Sequence, residues 1–301
     1  MKQGSIQVTQ GINERKNVLT LAIQKSGRLN EKTLHILEEC GIRIGNGGKG
    51  KLKAVSNTFP LEILFLRDDD IPECVADGIA HVGIVGENVV REKDRQVEII
   101  ERLGFARCRL SIAVPKQMNY TGLEDLNGLK IATSYPNILR KFLKEKALQA
   151  EIYEINGSVE IAPSIGLADV IFDIVSTGST LLSNGLKEVE TVLKSEAVLI
   201  ANKNLSKDQK ALLDQLVFRL HAVLKAKNFK YILLNVPNEK IDTICNILPG
   251  MKSPTVMPLA LKGWSSLHSV IEEKAFWEVI QQLKQNGAQG ILVIPIEKMI
   301  L

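Results

Sequence analysis

From residue 19 onward, short apolar runs alternate with amphipathic stretches along the chain. Leu19–Ile23, Leu61–Leu66 and Val82–Val85 are apolar runs bounded by polar turns, the pattern of strands covered on both faces. Between the first two, Leu34, Ile36, Leu37 and Cys40 recur at helical spacing, with Asn30 as the expected cap and Gly41 as the stop. Asp70 is set to cap a second helix over Ile71–Asp77, stopped by Gly78. Residues 1–17 are polar and start no clear element, and Gly45–Gly50 reads as a loop. This alternation predicts an α/β sheet with parallel strands, whose ligands bind beyond the carboxyl ends of the strands. The polar sets KSGR (25–28), RDDD (67–70) and GEN (86–88) all fall at such ends.

A second α/β unit starts near Leu110–Val114. It continues with a strand at Lys130–Thr133, a helix from Pro136 through Leu148, and strands at Glu151–Ile155 and Val170–Val175. The apolar run Ala197–Ala201 has no glycine-rich loop after it. It can return to the first sheet, which makes the first two lobes discontinuous: residues 1–115 with 196–226, and residues 116–195. After a helix over Lys207–Ala226, residues 227–301 give the order βαββαβ, a ferredoxin-like unit read as a regulatory or oligomerising domain, with a purely structural subunit contact as the alternative.

Composition narrows the function classes. A net charge of +4, scattered along the chain, and only 5% aromatic residues argue against nucleic acid. No run of about 18 apolar residues and no charged start leading into an apolar cleavage segment is present, so the expectation is a cytosolic protein with no membrane partner. Cys40, Cys74, Cys108 and Cys245 form no paired motif and predict reduced thiols rather than a zinc site. Local cations matter more than the total: Lys25, Arg28, Arg67, Arg107 and Arg109 lie at or near strand ends, where they favour phosphate ligands.

Residues 168–186, ADVIFDIVSTGSTLLSNGL, carry the most chemistry. A buried strand leads into Ser176, Thr177, Gly178, Ser179 and Thr180, where glycine lets the backbone approach an anion and the hydroxyls can donate. An ordinary Ser/Thr-rich helix cap is the alternative. Asp169 and Asp173 tilt the balance, because a carboxylate beside a phosphate cradle can bind a sugar hydroxyl or a hydrated magnesium ion and a cap needs neither. With KSGR in the other lobe, two polyanionic substrates meeting in one cleft is the natural inference.

These pieces occur in the order LAIQKSGRL (21–29), LRDDDIPE (66–73), DGIAHVGIVGEN (77–88), CRLSIAVP (108–115), IATSYPN (131–137), NGSVEIAP (156–163) and the 168–186 stretch, with LPGMKSPTVMPLA (248–260) and ILVIPIEKM (291–299) near the end. In them the chain resembles the long-form ATP phosphoribosyltransferase family over roughly residues 19–301. The resemblance implies two lobes like those of periplasmic binding proteins, with parallel-rich sheets, and a C-terminal ferredoxin-like, ACT-like domain. It implies that ATP and phosphoribosyl pyrophosphate (PRPP) are joined by attack of adenine N1 on the anomeric carbon, the first step of histidine biosynthesis.

Such a transition state asks for positioning, magnesium and cationic donors. The resemblance then implies Ser176–Thr180 on the 5-phosphate, Asp173 and Asp169 on the ribose hydroxyls, and Glu160 assisting ribose or magnesium. Lys25, Gly27, Arg28, Arg67 and Asp69 are implied for ATP and phosphate, with Mg2+ held mainly through substrate. Duller roles stay open for several residues: Glu87 and Asn88 as helix openers, Arg109 as the partner of a carboxylate, Tyr135-Pro136 as a helix start. His81 and Ser164 depart from the family pattern, which more often has an acid and a base there. The last domain implies inhibition by histidine and dimers assembling to hexamers, with Asn235, Met251, Thr255, Val270 and Gly290 lining the effector pocket. A two-lobed solute-binding protein is the rival reading, but it predicts an export signal and needs no catalytic acid.

Overall fold

The computed structural model describes residues 18–45, 52–248, 250–251 and 253–300. The readings over residues 1–17 and 46–50 lie outside the described residues. The chain divides into two compact units, Met1–Glu38 with Ile42–Leu213 and Glu39–Gly41 with Asp214–Leu301.

The first unit begins with β1 (Leu19–Gln24), α1 (Arg28–Glu39), β2 (Lys53–Val55), β3 (Leu61–Leu66), α2 (Ile71–Ala76), β4 (Val82–Gly86), α3 (Glu87–Lys93) and β5 (Val97–Arg102). The chain then crosses to a second lobe made of β6 (Cys108–Pro115), β7 (Lys130–Thr133), α4 (Pro136–Glu145), β8 (Glu151–Glu154), β9 (Val170–Val175), α5 (Ser179–Ser183) and β10 (Leu186–Ser195). It returns through Glu196 into β11 (Ala197–Asn202) and the long helix α6 (Lys207–Ala226). The division between the units falls inside α6, whereas the sequence boundary at 226/227 falls at its end.

The first sheet has the order β2-β3-β1-β4-β11-β5 and the second β10-β6-β9-β7-β8. Parallel pairing holds through β3-β1-β4 at the centre of the first sheet and through β9-β7-β8 along one side of the second, out to its edge. In the first sheet β11 pairs antiparallel with β4 because the returning strand enters from the end where β4 stops: Ala197 pairs with Gly86. Ala197 through Ala201 are all buried, which is why that run reads as continuously apolar. Its expected return to the first sheet is observed.

Several local expectations need correction. Asn30 sits within α1 rather than capping it, and its amide donates to the Gln24 carbonyl at 2.6 Å. Asp70 stands at the start of α2 but makes no side-chain cap bond, since Asp68–Asp70 already form a 3-10 turn. The helix from Pro136 ends at Glu145, three residues before Leu148.

In the second unit β12 (Phe229–Pro237), α7 (Ile241–Ile247), β13 (Thr255–Pro258), β14 (Trp264–Glu272), α8 (Glu273–Gln285) and β15 (Gln289–Pro295) form one antiparallel sheet, order β13-β14-β12-β15. This is the ferredoxin-like βαββαβ arrangement. Ile232, Leu234, Val236, Leu267 and Ile271 point to the helix side, where they meet Ile244, Phe276 and Leu283. The other sheet face is left without a helix layer among the described residues.

Candidate functional site

β9 delivers the loop read from the sequence. Val170, Ile171, Phe172 and Val175 are buried and fix the strand, while Ser176, Thr177, Ser179 and Thr180 are exposed. Gly178 has φ +81, a left-handed conformation that only glycine adopts cheaply. This turn leaves the amides of Thr177 through Thr180 without a hydrogen bond among the described residues. Thr177 and Ser179 hydroxyls lie 3.0 Å apart. Unpaired amides around a left-handed residue, with hydroxyls beside them, are an arrangement that can receive an anion. Buried Leu181, packed with Val175, anchors the far side of the turn.

Arg109 braces this loop from β6. Its Nε and Nη2 donate to the two Glu188 oxygens, and its Nη1 donates to the Ser176 carbonyl at 3.2 Å. These hydrogen bonds hold the Glu188 carboxyl below its ordinary range, and Ser111 Oγ adds a further one at 2.7 Å. Arg109 is therefore the partner of a carboxylate, the plainer of its two readings, and it holds the loop through the Ser176 carbonyl.

Beside the loop stand two acids. Asp173 is half-buried on β9, and burial, reinforced by the nearby charge of Glu160, pushes its carboxyl up to about 6. Glu160 lies on the 3-10 turn Val159–Ile161, beyond the end of β8. The Tyr135 phenol is raised as well, by burial and then by the charge of Asp173 and that of Asp68 from the other lobe. Asp169 is not part of this cluster. It precedes β9 at the opposite end from the loop, where its Oδ2 accepts the Lys130 amide at 2.8 Å.

On the first lobe Lys25, Gly27, Arg28, Arg67 and Asp69 sit where expected, at the carboxyl ends of β1 and β3, which run parallel in register. Lys25 N–H donates to the Leu66 carbonyl at 2.8 Å and holds the two ends together. The Lys25 and Arg28 side chains and that of Arg67 are exposed. Asp69 is already in an ion pair with Lys93 at 3.6 Å. Where the lobes cross, Arg102, Arg107, Arg109, Lys194, Glu87 and Ser176 contribute to the walls of a cavity of about 550 Å³ that begins at the first residue of the Ser176–Thr180 turn. Glu87 accepts from both Arg91 and Arg102, at 3.1 and 2.9 Å.

Sequence reasoning missed Glu92, Glu188 and the pairing of Asn88 with Tyr135. Asn88 Nδ2 donates to the Tyr135 hydroxyl at 3.2 Å, and Glu92 receives amides of the second lobe. One signal was available: α4 starts Tyr135-Pro136 with no capping side chain of its own, so its cap had to come from elsewhere. Glu87 and Asn88 do open a helix, the plainer of their two readings. The two departures from the family pattern have local roles: His81 Nδ1 accepts the Thr20 amide at 2.9 Å, and Ser164 Oγ donates to the Ile161 carbonyl.

Among the described residues no group of three or more His, Cys, Asp and Glu side chains could hold a metal ion, and no helix is long and apolar enough to cross a membrane. In the second unit the strand register puts Asn235, Thr255 and Val270 on the sheet face away from α7 and α8. Gly290 adjoins Asn235: a Cβ added there would stand 3.2 Å from the Asn235 amide nitrogen. Met251 is exposed and precedes β13.

The family model for ATP phosphoribosyltransferase matches residues 67–222, and that for the "HisG, C-terminal domain" matches residues 226–298. An ATP phosphoribosyltransferase of Cytophaga hutchinsonii is 61% identical over 283 residues, 94% of this chain and 99% of the relative. That of Bacteroides thetaiotaomicron is 58% identical over 284 residues, 94% of this chain and 100% of the relative. Among solved structures, a chain of the ATP phosphoribosyl transferase (HisG:HisZ) complex from Thermotoga maritima superposes with a TM-score of 0.61 at 25% identity, covering 69% of this chain and 99% of that one.

Proposed function

The chain belongs to the ATP phosphoribosyltransferase family, and from that premise we propose that it joins ATP to PRPP in the cytoplasm, giving N1-(5-phosphoribosyl)-ATP and pyrophosphate as the first step of histidine biosynthesis. The observation that carries this reading is the Ser176–Thr180 turn, with unpaired amides and a cluster of exposed hydroxyls, set beside the half-buried carboxylate of Asp173. The turn would grip the 5-phosphate of PRPP, and Asp173 with Glu160 would receive the ribose hydroxyls. Adenine N1 attacks C1 of the ribose as the C1–O bond to pyrophosphate breaks, and that oxygen keeps the bonding electrons. Lys25, Arg28 and Arg67 would neutralise the phosphate charge from the first lobe, with Gly27 allowing close approach.

A magnesium ion would enter on the pyrophosphate, and the carboxylates of Asp173 and Glu160, close enough for one charge to act on the other, are oxygen donors that would hold its water shell. On the pyrophosphate such an ion supplies charge neutralisation of the leaving group. Histidine would inhibit by binding the last domain near Asn235, Met251, Thr255, Val270 and Gly290, in dimers that assemble to hexamers. The deciding assay follows ultraviolet absorbance for phosphoribosyl-ATP made from ATP and PRPP, with and without magnesium. Absence of product with both substrates and the metal present would reject the reading.

A further inference from the structure

The first turn of α4 has an unusual cap. Tyr135 holds the cap position with φ −127 and ψ 60 and makes no side-chain bond to the helix. Pro136 has no N–H, and Leu139 N–H is already satisfied by the Tyr135 carbonyl at 3.1 Å. Asn137 and Ile138 are thus the two donors left over. Both go to Glu92 of α3, in the other lobe: Asn137 N–H to Oε1 at 2.9 Å and Ile138 N–H to Oε2 at 3.0 Å. Asn137 Nδ2 adds a bond to the Glu92 carbonyl at 3.0 Å. Glu92 is only 7% exposed, so its carboxylate relies on these amides in place of water.

One turn earlier on α3, Asn88 makes the companion contact. Its Nδ2 donates to the Tyr135 hydroxyl, while its Oδ1 accepts from Ser195 Oγ at 2.9 Å and its N–H donates to the same oxygen at 3.0 Å. Tyr135 is therefore fixed at its backbone by the capped helix and at its hydroxyl by the first lobe. Beside burial, the charge of Asp173 acts on its phenol.

We propose that Glu92 is a positioning residue: it caps α4 across the two lobes and so holds Tyr135 and the cleft in the closed arrangement that substrates need. The bonds of Glu92 and Asn88 all join one lobe to the other, so separating the lobes strips α4 of its cap and Tyr135 of its partner. Closure and helix order become one equilibrium, and a substrate that must touch both lobes meets a cleft already biased toward it. The proposal rests on the transferase reading for its kinetic consequence and on geometry alone for the cap.

Glu92→Ala should raise KM for PRPP or ATP about tenfold, the fold-change that loss of a helix cap allows, with a much smaller change in kcat at saturation. Glu92→Gln, which keeps the shape and one acceptor oxygen, should fall between it and the wild type. Amide exchange at Asn137 and Ile138 in the substrate-free protein should speed up in the same order. A residue that merely steadied the fold would lower the melting temperature and leave KM unmoved. The proposal is overturned if KM stays at the wild-type value in both variants, or if exchange at the two amides is unaltered. Should Glu92→Ala fail to fold, Glu92→Gln carries both measurements. A wild-type protein without transferase activity would reject the functional reading, while the exchange data, which need no substrate, still decide the cap.

Discussion

A carboxylate taken half out of water costs the free protein stability, and Asp173 bears that cost with its carboxyl pushed up to about 6 by burial and by Glu160. Because the folded value lies above the ordinary one, the folded state binds the proton more tightly than the unfolded chain. Stability therefore grows as pH falls through about 6 toward 3.8 and is lost as pH rises through 6. Asp173→Asn should then stabilise the substrate-free protein at pH 8 by on the order of 2 kcal/mol, a gain that fades by pH 4. The same change should weaken PRPP binding, since ribose hydroxyls donate best to the charged form. Melting curves against pH and a PRPP titration check the two halves; a variant that binds PRPP as the wild type does removes Asp173 from the site. Asp169 shows what residue types alone leave out. A strand rise of about 3.3 Å per residue puts it roughly 13 Å before Asp173, too far to share a ribose with the loop, and only the strand's direction says so.

At the scale of elements, the Ser176–Thr180 turn was legible because strand, glycine and hydroxyls are contiguous in the chain. β10 was not. Its apolar residues Leu186, Val189, Val192 and Leu193 fall at helix-like spacing because two register shifts, between Glu188 and Glu190 and between Thr191 and Leu193, break the alternation of a strand. With β10 unseen, Glu188 and its hold on Arg109 were also unseen, since that pair joins residues 79 apart. The turn itself gives a sharper test through Gly178. A Cβ there would meet Val175 Cγ1 at 4.0 Å, an ordinary contact, so the penalty of Gly178→Ala comes from φ +81 and amounts to about 1–2 kcal/mol. Relief of that strain would rotate the amides of Thr177 to Thr180 away from their common centre. PRPP affinity should drop by about tenfold or more, beyond the loss of stability, and calorimetry that finds unchanged affinity would show that the backbone does not hold the phosphate.

For the molecule as a whole, the order of apolar runs was enough to separate two α/β lobes from a βαββαβ unit, and the run Ala197–Ala201 was enough to send the chain back to its first sheet. Contacts made between lobes left no such trace, because Glu92 and Asn88 look like ordinary polar helix residues until α4 is set against them. The proposed effector site belongs to this scale too. Asn235, Thr255 and Val270 share the sheet face that no helix covers among the described residues, and Tyr231 and His268 stand in the same rows, joined by a 2.7 Å hydrogen bond. An amino acid bound there presents charged amino and carboxyl groups, whose hydrogen bonds are worth about 1.5–3 kcal/mol each. Asn235→Ala and Thr255→Val should each weaken histidine binding by about tenfold or more while turnover of ATP and PRPP without histidine stays at the wild-type rate. Calorimetric titration of histidine, paired with the absorbance assay, reads both quantities. Histidine bound as tightly by both variants as by the wild type would exclude this face, and inhibition that survives a loss of binding would move the effector to the substrate cleft.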